Sequence, residues 1–249
     1  MDSAAALGQI NPLARPGTPA VLSVVPAGAG ALRLDVIGSM RVLRGEMPLS
    51  TVGGPKAGAN QALGLFAFLF DRETRGMDKD EAIELIWPES PLPVADTAFH
   101  RTMLGLRRTL GRDGHPDVVE YRAGRYFLAE GVVESSDLAD LEDLLEASGS
   151  ESDPVARIAL LERCRSLNRG AYMDDCPFYG TSVFVEVRRS LVQSVMTAVL
   201  FELGDLYETT GHPALAALRR GEVGLLSDGD SVTEPDTGTD ASGLRRGRR

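Results

Sequence analysis

The apolar period of this chain changes twice within a hundred residues, and that pattern limits the folds open to it. From Leu32 to Gly38 apolar and polar residues alternate, as along a half-buried strand, and Ser39 to Gly45 reads as a second strand with the turn at Gly38-Ser39. Pro48 to Pro55 reads as a loop. The period then lengthens. Ala62 to Phe70 is strongly apolar and predicts a buried helix, closed by Gly76. Asp78 can cap a second helix that carries Ala82, Ile83, Ile86 and Trp87 and ends before Pro88. A third helix, Val94 to Leu110, places Phe99, Met103, Leu106 and Leu110 on one continuous apolar face and stops at Gly111. Val118 to Tyr121 and Tyr126 to Leu128 return to strands around an Arg122–Arg125 turn. Two strands, three helices and a closing hairpin make a small α+β unit.

The rest of the chain keeps the helical period. Leu138, Leu141, Leu144 and Leu145 line one helix, and Ser148 to Asp153 reads as a polar linker. Val155, Ile158, Leu161 and Leu167 line another, ended at Gly170. The longest runs from Val183 to Thr209, and His212 to Leu218 reads as a short final helix. Residues 1–31 read as a flexible leader and residues 227–249 as a disordered tail, since neither has much to bury. The start carries no Lys or Arg before an apolar run, so it lacks the pattern of an export signal, and a cytoplasmic location is expected. No run approaches the roughly 18 apolar residues that span a bilayer, so no membrane partner is expected.

Local motifs add detail. Gly53-Gly54-Pro55-Lys56 resembles the start of the first helix in the SARP branch of the OmpR-type winged helix-turn-helix proteins. Asp80-Glu81-Ala82-Ile83-Glu84-Leu85-Ile86-Trp87-Pro88 resembles that family's second helix, and Leu106-Arg107-Arg108-Thr109-Leu110-Gly111 the end of its recognition helix. Gly124-Arg125-Tyr126-Phe127-Leu128 resembles its wing. Further on, Asn168-Arg169-Gly170-Ala171-Tyr172-Met173-Asp174-Asp175 and Phe184-Val185-Glu186-Val187-Arg188-Arg189 look like two signatures of the bacterial transcriptional activator domain, which is related to tetratricopeptide repeats. Leu203-Gly204, Tyr207, Gly211 and Ala214 fit the spacing of such repeats. The resemblance implies an α+β N-terminal winged helix-turn-helix over residues 32–130. It implies an all-α tetratricopeptide-like domain, shortened, over residues 131–226. It further implies a transcriptional regulator that binds promoter DNA and contacts RNA polymerase.

A major groove about 12 Å wide admits one helix, whose N-terminal half reaches base edges. On that expectation His100, Arg101 and Thr102 face the groove, Arg108 lies near phosphate, and Arg122 and Arg125 belong to the wing. Charge qualifies the expectation. The formal net charge is −10. Residues 32–130 hold 13 basic against 14 acidic side chains, whereas residues 131–243 hold 8 against 21. The acid therefore belongs to the helical half, and the reader is near neutral. Each phosphate contact contributes through counterion release. With few arginines, a lone chain binds weakly, and a homodimer on repeated half-sites or help from polymerase is expected. Asp96 and Gly105, together with the near-neutral balance, favour the alternative: a protein-interaction adaptor that keeps the fold without reading DNA.

Other chemistry finds little support. Gly53-Gly54-Pro55-Lys56-Ala57-Gly58 lacks the Lys-Ser/Thr end of a phosphate loop. Gly28-Ala29-Gly30 lacks the third glycine of a dinucleotide site. Cys164 and Cys176 have no nearby His and read as partly buried thiols, not zinc ligands. His100, His115 and His212 are scattered and stand beside no nucleophile motif, so neither an enzyme nor a cofactor is expected. Asp174-Asp175 reads as a loop or helix cap, Trp87 and Phe99 as core, and Asp96 as a candidate cap for the third helix.

Overall fold

The computed structural model describes residues 32–53, 58–111 and 118–228. The readings made for residues 1–31, for Gly54 to Ala57, for His115 and for the tail beyond Asp228 lie outside those residues.

The N-terminal sheet forms first. β1 (Leu32–Asp35) pairs antiparallel with β2 (Arg41–Arg44), with Leu34 opposite Val42. A two-residue β3 (Met47–Pro48) extends the edge and overlaps the stretch read as a loop at Pro48. Leu32 and Leu34 are buried, as the alternation requires. The helices follow: α1 (Ala59–Asp71), α2 (Lys79–Ile86) and α3 (Leu92–Leu110). Asp78 caps α2 as expected, accepting from the backbone N–H groups of Asp80 and Glu81. A two-stranded hairpin, β4 (Val119–Arg122) with β5 (Arg125–Leu128), closes the unit.

The chain does not become helical directly after Gly131. Val133–Ser136 forms β6, which lies parallel to β1 and completes the sheet in the order β3-β2-β1-β6. Ser136 then caps α4 (Asp137–Ser150) through its hydroxyl. The Asp153 carboxylate caps α5 (Pro154–Leu167), accepting from the N–H groups of Val155 and Ala156. α6 (Val183–Thr209) matches its expected span. The last helix, α7 (Pro213–Asp228), runs ten residues past its expected end. It continues because Arg219 and Glu222 pair with α5 and the Leu226 carbonyl accepts from Gln193 of α6. No described helix is long and apolar enough to cross a membrane.

Two buried carboxylates weld the N-terminal unit to the helical array. The Asp137 side chain is fully buried and accepts from the N–H groups of Val36 and Ile37 at 2.8 and 2.9 Å, while Arg169 donates to it at 2.5 Å. Those two N–H groups are therefore satisfied without a strand partner, which is why β1 stops at Asp35. Asp71, at the end of α1, accepts from the hydroxyls of Tyr172 and Tyr179 and from Arg188 Nε at 3.0 Å. Burial first, and then the Asp71 charge, push both phenols well above their ordinary pKa. The segment between α5 and α6 also bonds to the β1–β2 loop through the backbone, with Met173 N–H donating to the Val36 carbonyl at 2.8 Å. One apolar core runs through both halves, from Leu34 and Phe66 to Tyr179 and Val199.

Candidate nucleic-acid interface

α3 presents two faces. Ala95, Phe99, Thr102, Met103, Leu106 and Leu110 are buried against α1, α2 and the hairpin. Thr97, Arg101, Leu104 and Arg108 are exposed on the opposite side at spacings of four, three and four. Thr102 is only 3% exposed, so it is not groove-facing. It sits on the same ridge as Ala95, Phe99 and Leu106, and the helical period sends it inward with them. His100 is exposed at the edge of the outer face, with Nε2 3.7 Å from Asp96 and its ring edge-on to Phe99.

Asp96 does not cap α3. The N-cap is Pro91, without a side-chain bond, and Asp96 instead pairs with Lys79 of α2. That hydrogen bond holds the Asp96 carboxyl below its usual range. The negative charge near the start of the helix is thus already matched within the protein.

The other end of α3 is clamped. Arg44 Nη2 of β2 donates to the Thr109 carbonyl at 2.9 Å, and Thr109 Oγ1 bonds to the Val52 carbonyl. Arg107 Nη2 donates to the Val119 carbonyl at 3.1 Å and ties α3 to the hairpin. Arg107 and Arg44 are therefore structural. Arg101 and Arg108 make no hydrogen bond or ion pair with the described residues. They stand seven residues apart, two turns along one face, about 10 Å at 1.5 Å per residue.

The hairpin turn is tight because Ala123 and Gly124 both have positive φ, 49° and 79°, the geometry of a two-residue loop in which glycine is favoured. Arg122 lies over the Phe127 ring at 4.2 Å and 3.9 Å from Glu120, with its head in solvent. Arg125 is only half exposed, and its Nη1 donates to the Gly76 carbonyl at 3.3 Å. It turns back onto the α1–α2 connection, where Met77 and Tyr126 exchange two backbone bonds.

The structure thus gathers His100, Arg101 and Arg108 on the exposed side of α3 and sets Arg122 at the hairpin tip. It buries Thr102 and ties Arg125 to the scaffold. Sequence reasoning passed over Leu104, 45% exposed, and Tyr121, 63% exposed. The helical phase carried the signal for Leu104, seven residues from Thr97 and three from Arg101, but nothing in the alternation marked Tyr121, which shares a strand parity with buried Val119. Among the described residues no cluster of His, Cys, Asp and Glu could hold a metal ion. Cys164 and Cys176 are buried free thiols, each pushed by burial up to about 12.

No protein-family model matches the chain. No curated protein matches its sequence. Among solved structures, Mycobacterium tuberculosis EmbR, in complex with a low-affinity phosphopeptide, is similar in fold: TM-score 0.50 at 17% identity, over 83% of this chain and 62% of that one. The chain spans less than two thirds of the length of that protein.

Proposed function

We propose that this protein is a DNA-binding transcriptional regulator of the SARP type. α3 enters the major groove with His100 and Arg101 toward base edges and Arg108 toward phosphate. Arg122, at the hairpin tip, lies along the neighbouring backbone. One observation carries the reading: Arg101 and Arg108 share the solvent face of the helix that the fold presents, and neither is neutralised by a described residue. The internal pairing of Asp96 supports it, because it lowers the repulsion that a free carboxylate would exert on phosphate. The motif resemblance supplies the rest: promoter DNA as the target, RNA polymerase as the partner engaged by the helical array, activation as the outcome, and the cytoplasm as the place.

The test is an electrophoretic shift of genomic fragments at low salt. A subset of fragments retained over bulk DNA is expected. Absence of any such subset sinks the reading. It would leave the second one, a protein-interaction adaptor, which exposed Leu104 and Tyr121 beside the arginines favour because they offer apolar contact area.

A further inference from the structure

α7 is amphipathic in reverse. Arg219 and Glu222 turn toward α5, where Arg219 donates to Glu162 at 2.7 Å and Glu222 lies 3.5 Å from Arg165, while Arg220 bonds at the surface to Asp205 at 2.8 Å and also pairs with Glu208. Ala216 is buried. The exposed residues between Ala214 and Leu225 are Ala214, Leu215, Ala217, Leu218, Arg220, Gly221, Gly224 and Leu225, and only Arg220, paired with Asp205 and Glu208, is charged. Leu218 is 54% and Leu225 75% exposed. A surface helix ordinarily shows its polar side to water, and the end of a helical array needs a polar outer face to stay soluble.

The glycines add an independent point. A helix-interior glycine lowers helix stability relative to alanine. Gly204 of α6 has an internal reason, since a Cβ there would lie 2.9 Å from the Arg220 side chain. At Gly221 and Gly224 a Cβ would meet nothing within 4 Å. This chain makes no use of the space they leave, whereas a second backbone approaching that face would.

Several features identify the occupant. Residues 229–249 offer only Val232 and Leu244 as large apolar side chains, too few to cover the face. Residues 131–243 carry 21 acidic against 8 basic side chains, so two copies repel over most of that region and approach best over α7, where the one exposed charge is Arg220, already paired with Asp205 and Glu208. A twofold contact uses one patch on both partners and must be self-complementary. α7 has protruding Leu215 and Leu218 toward its start. At its other end lies a cavity of about 340 Å³, lined in part by Val192, Met196, Leu225 and Leu226. Gly221 lies between the two.

We infer that the outer face of α7 binds a second copy of this chain in an antiparallel, twofold helix pair. Leu215 and Leu218 of each copy enter the cavity of the other, and Gly221 sits at the crossing. A 16-residue helix is about 24 Å long, so the pair buries less than the roughly 800 Å² per partner of a standard interface. The dimer is accordingly weak, with a dissociation constant on the order of 10 µM. This contact does not depend on DNA binding.

Sedimentation equilibrium of the full chain, over roughly 1–200 µM, tests it. Wild type should pass from monomer to dimer, with tighter association at higher salt as the like charges are screened. Leu218→Glu should stay monomeric. Gly221→Ala should raise the thermal midpoint, because alanine is the better helix former, and weaken association about tenfold by adding a methyl at the crossing. Arg101→Ala with Arg108→Ala should associate as wild type does. A wild-type chain monomeric throughout overturns the inference, and so does Leu218→Glu or Gly221→Ala that dimerises unchanged.

Discussion

Asp71 does more for this structure than any motif residue. Its carboxylate, 7% exposed, satisfies two buried phenols and a guanidinium from the other half of the chain. Asp71→Ala would strand all three donors and should destabilise by about 3 kcal/mol, read by denaturant melts. Tyr179→Phe removes one donor and leaves Asp71 the other two, so it should cost less, about 1–2 kcal/mol. Equal losses for the two variants would contradict this role. Such a cluster was illegible in the sequence, because Tyr172, Tyr179 and Arg188 lie about a hundred residues from Asp71 and nothing local marks the pairing. Thr102 erred for a different reason. Residue type suggested a base contact, but the phase set by Phe99 and Leu106 already assigned it to the core, and the phase outweighs the residue type.

At the scale of elements, the helices were legible because burial imposes a 3.6 period on stretches of eight residues or more. β6 was not, since Val133-Glu134-Ser135-Ser136 is short and its partner strand lies a hundred residues back. The end of α7 was placed too early, at Leu218, because the ion pairs that hold its second half come from α5 and leave no local mark. Those pairs have a pH signature. Burial alone would raise the Glu162 pKa, but hydrogen bonds from Arg165, Arg219 and Tyr207 outweigh it and hold the carboxyl below 4.5. A carboxyl depressed on folding contributes stability that is complete above its unfolded value and is lost as pH falls through its folded value. Wild type should therefore lose more stability between about pH 5 and pH 3 than Glu162→Gln does. Parallel pH curves would refute the clasp. The α1 contact with the 171–182 segment is equally specific. A Cβ on Gly64 would lie 2.5 Å from the Pro177 carbonyl oxygen, so Gly64→Ala should cost about 1–3 kcal/mol despite its better helix propensity.

Over the whole molecule, the shared sheet, the two buried carboxylates and one continuous core make the N-terminal unit and the helical array a single mechanical unit. Trp87, the one tryptophan, reports the N-terminal unit, while far-UV circular dichroism reports mostly the helical array. Their unfolding curves should coincide, and two separated transitions would show independent domains. Charge divides differently from structure. Acid is concentrated in the array, and the face of α3 keeps two arginines free of described partners. The central claim is that these arginines meet phosphate and base edges. Its most direct test is DNA affinity against salt concentration for wild type, Arg101→Ala and Arg108→Ala on a selected genomic fragment. The account predicts a log–log slope that falls by about one for each arginine removed, with Arg101→Ala also relaxing discrimination against bulk DNA. Affinities and slopes identical across the three proteins would contradict it.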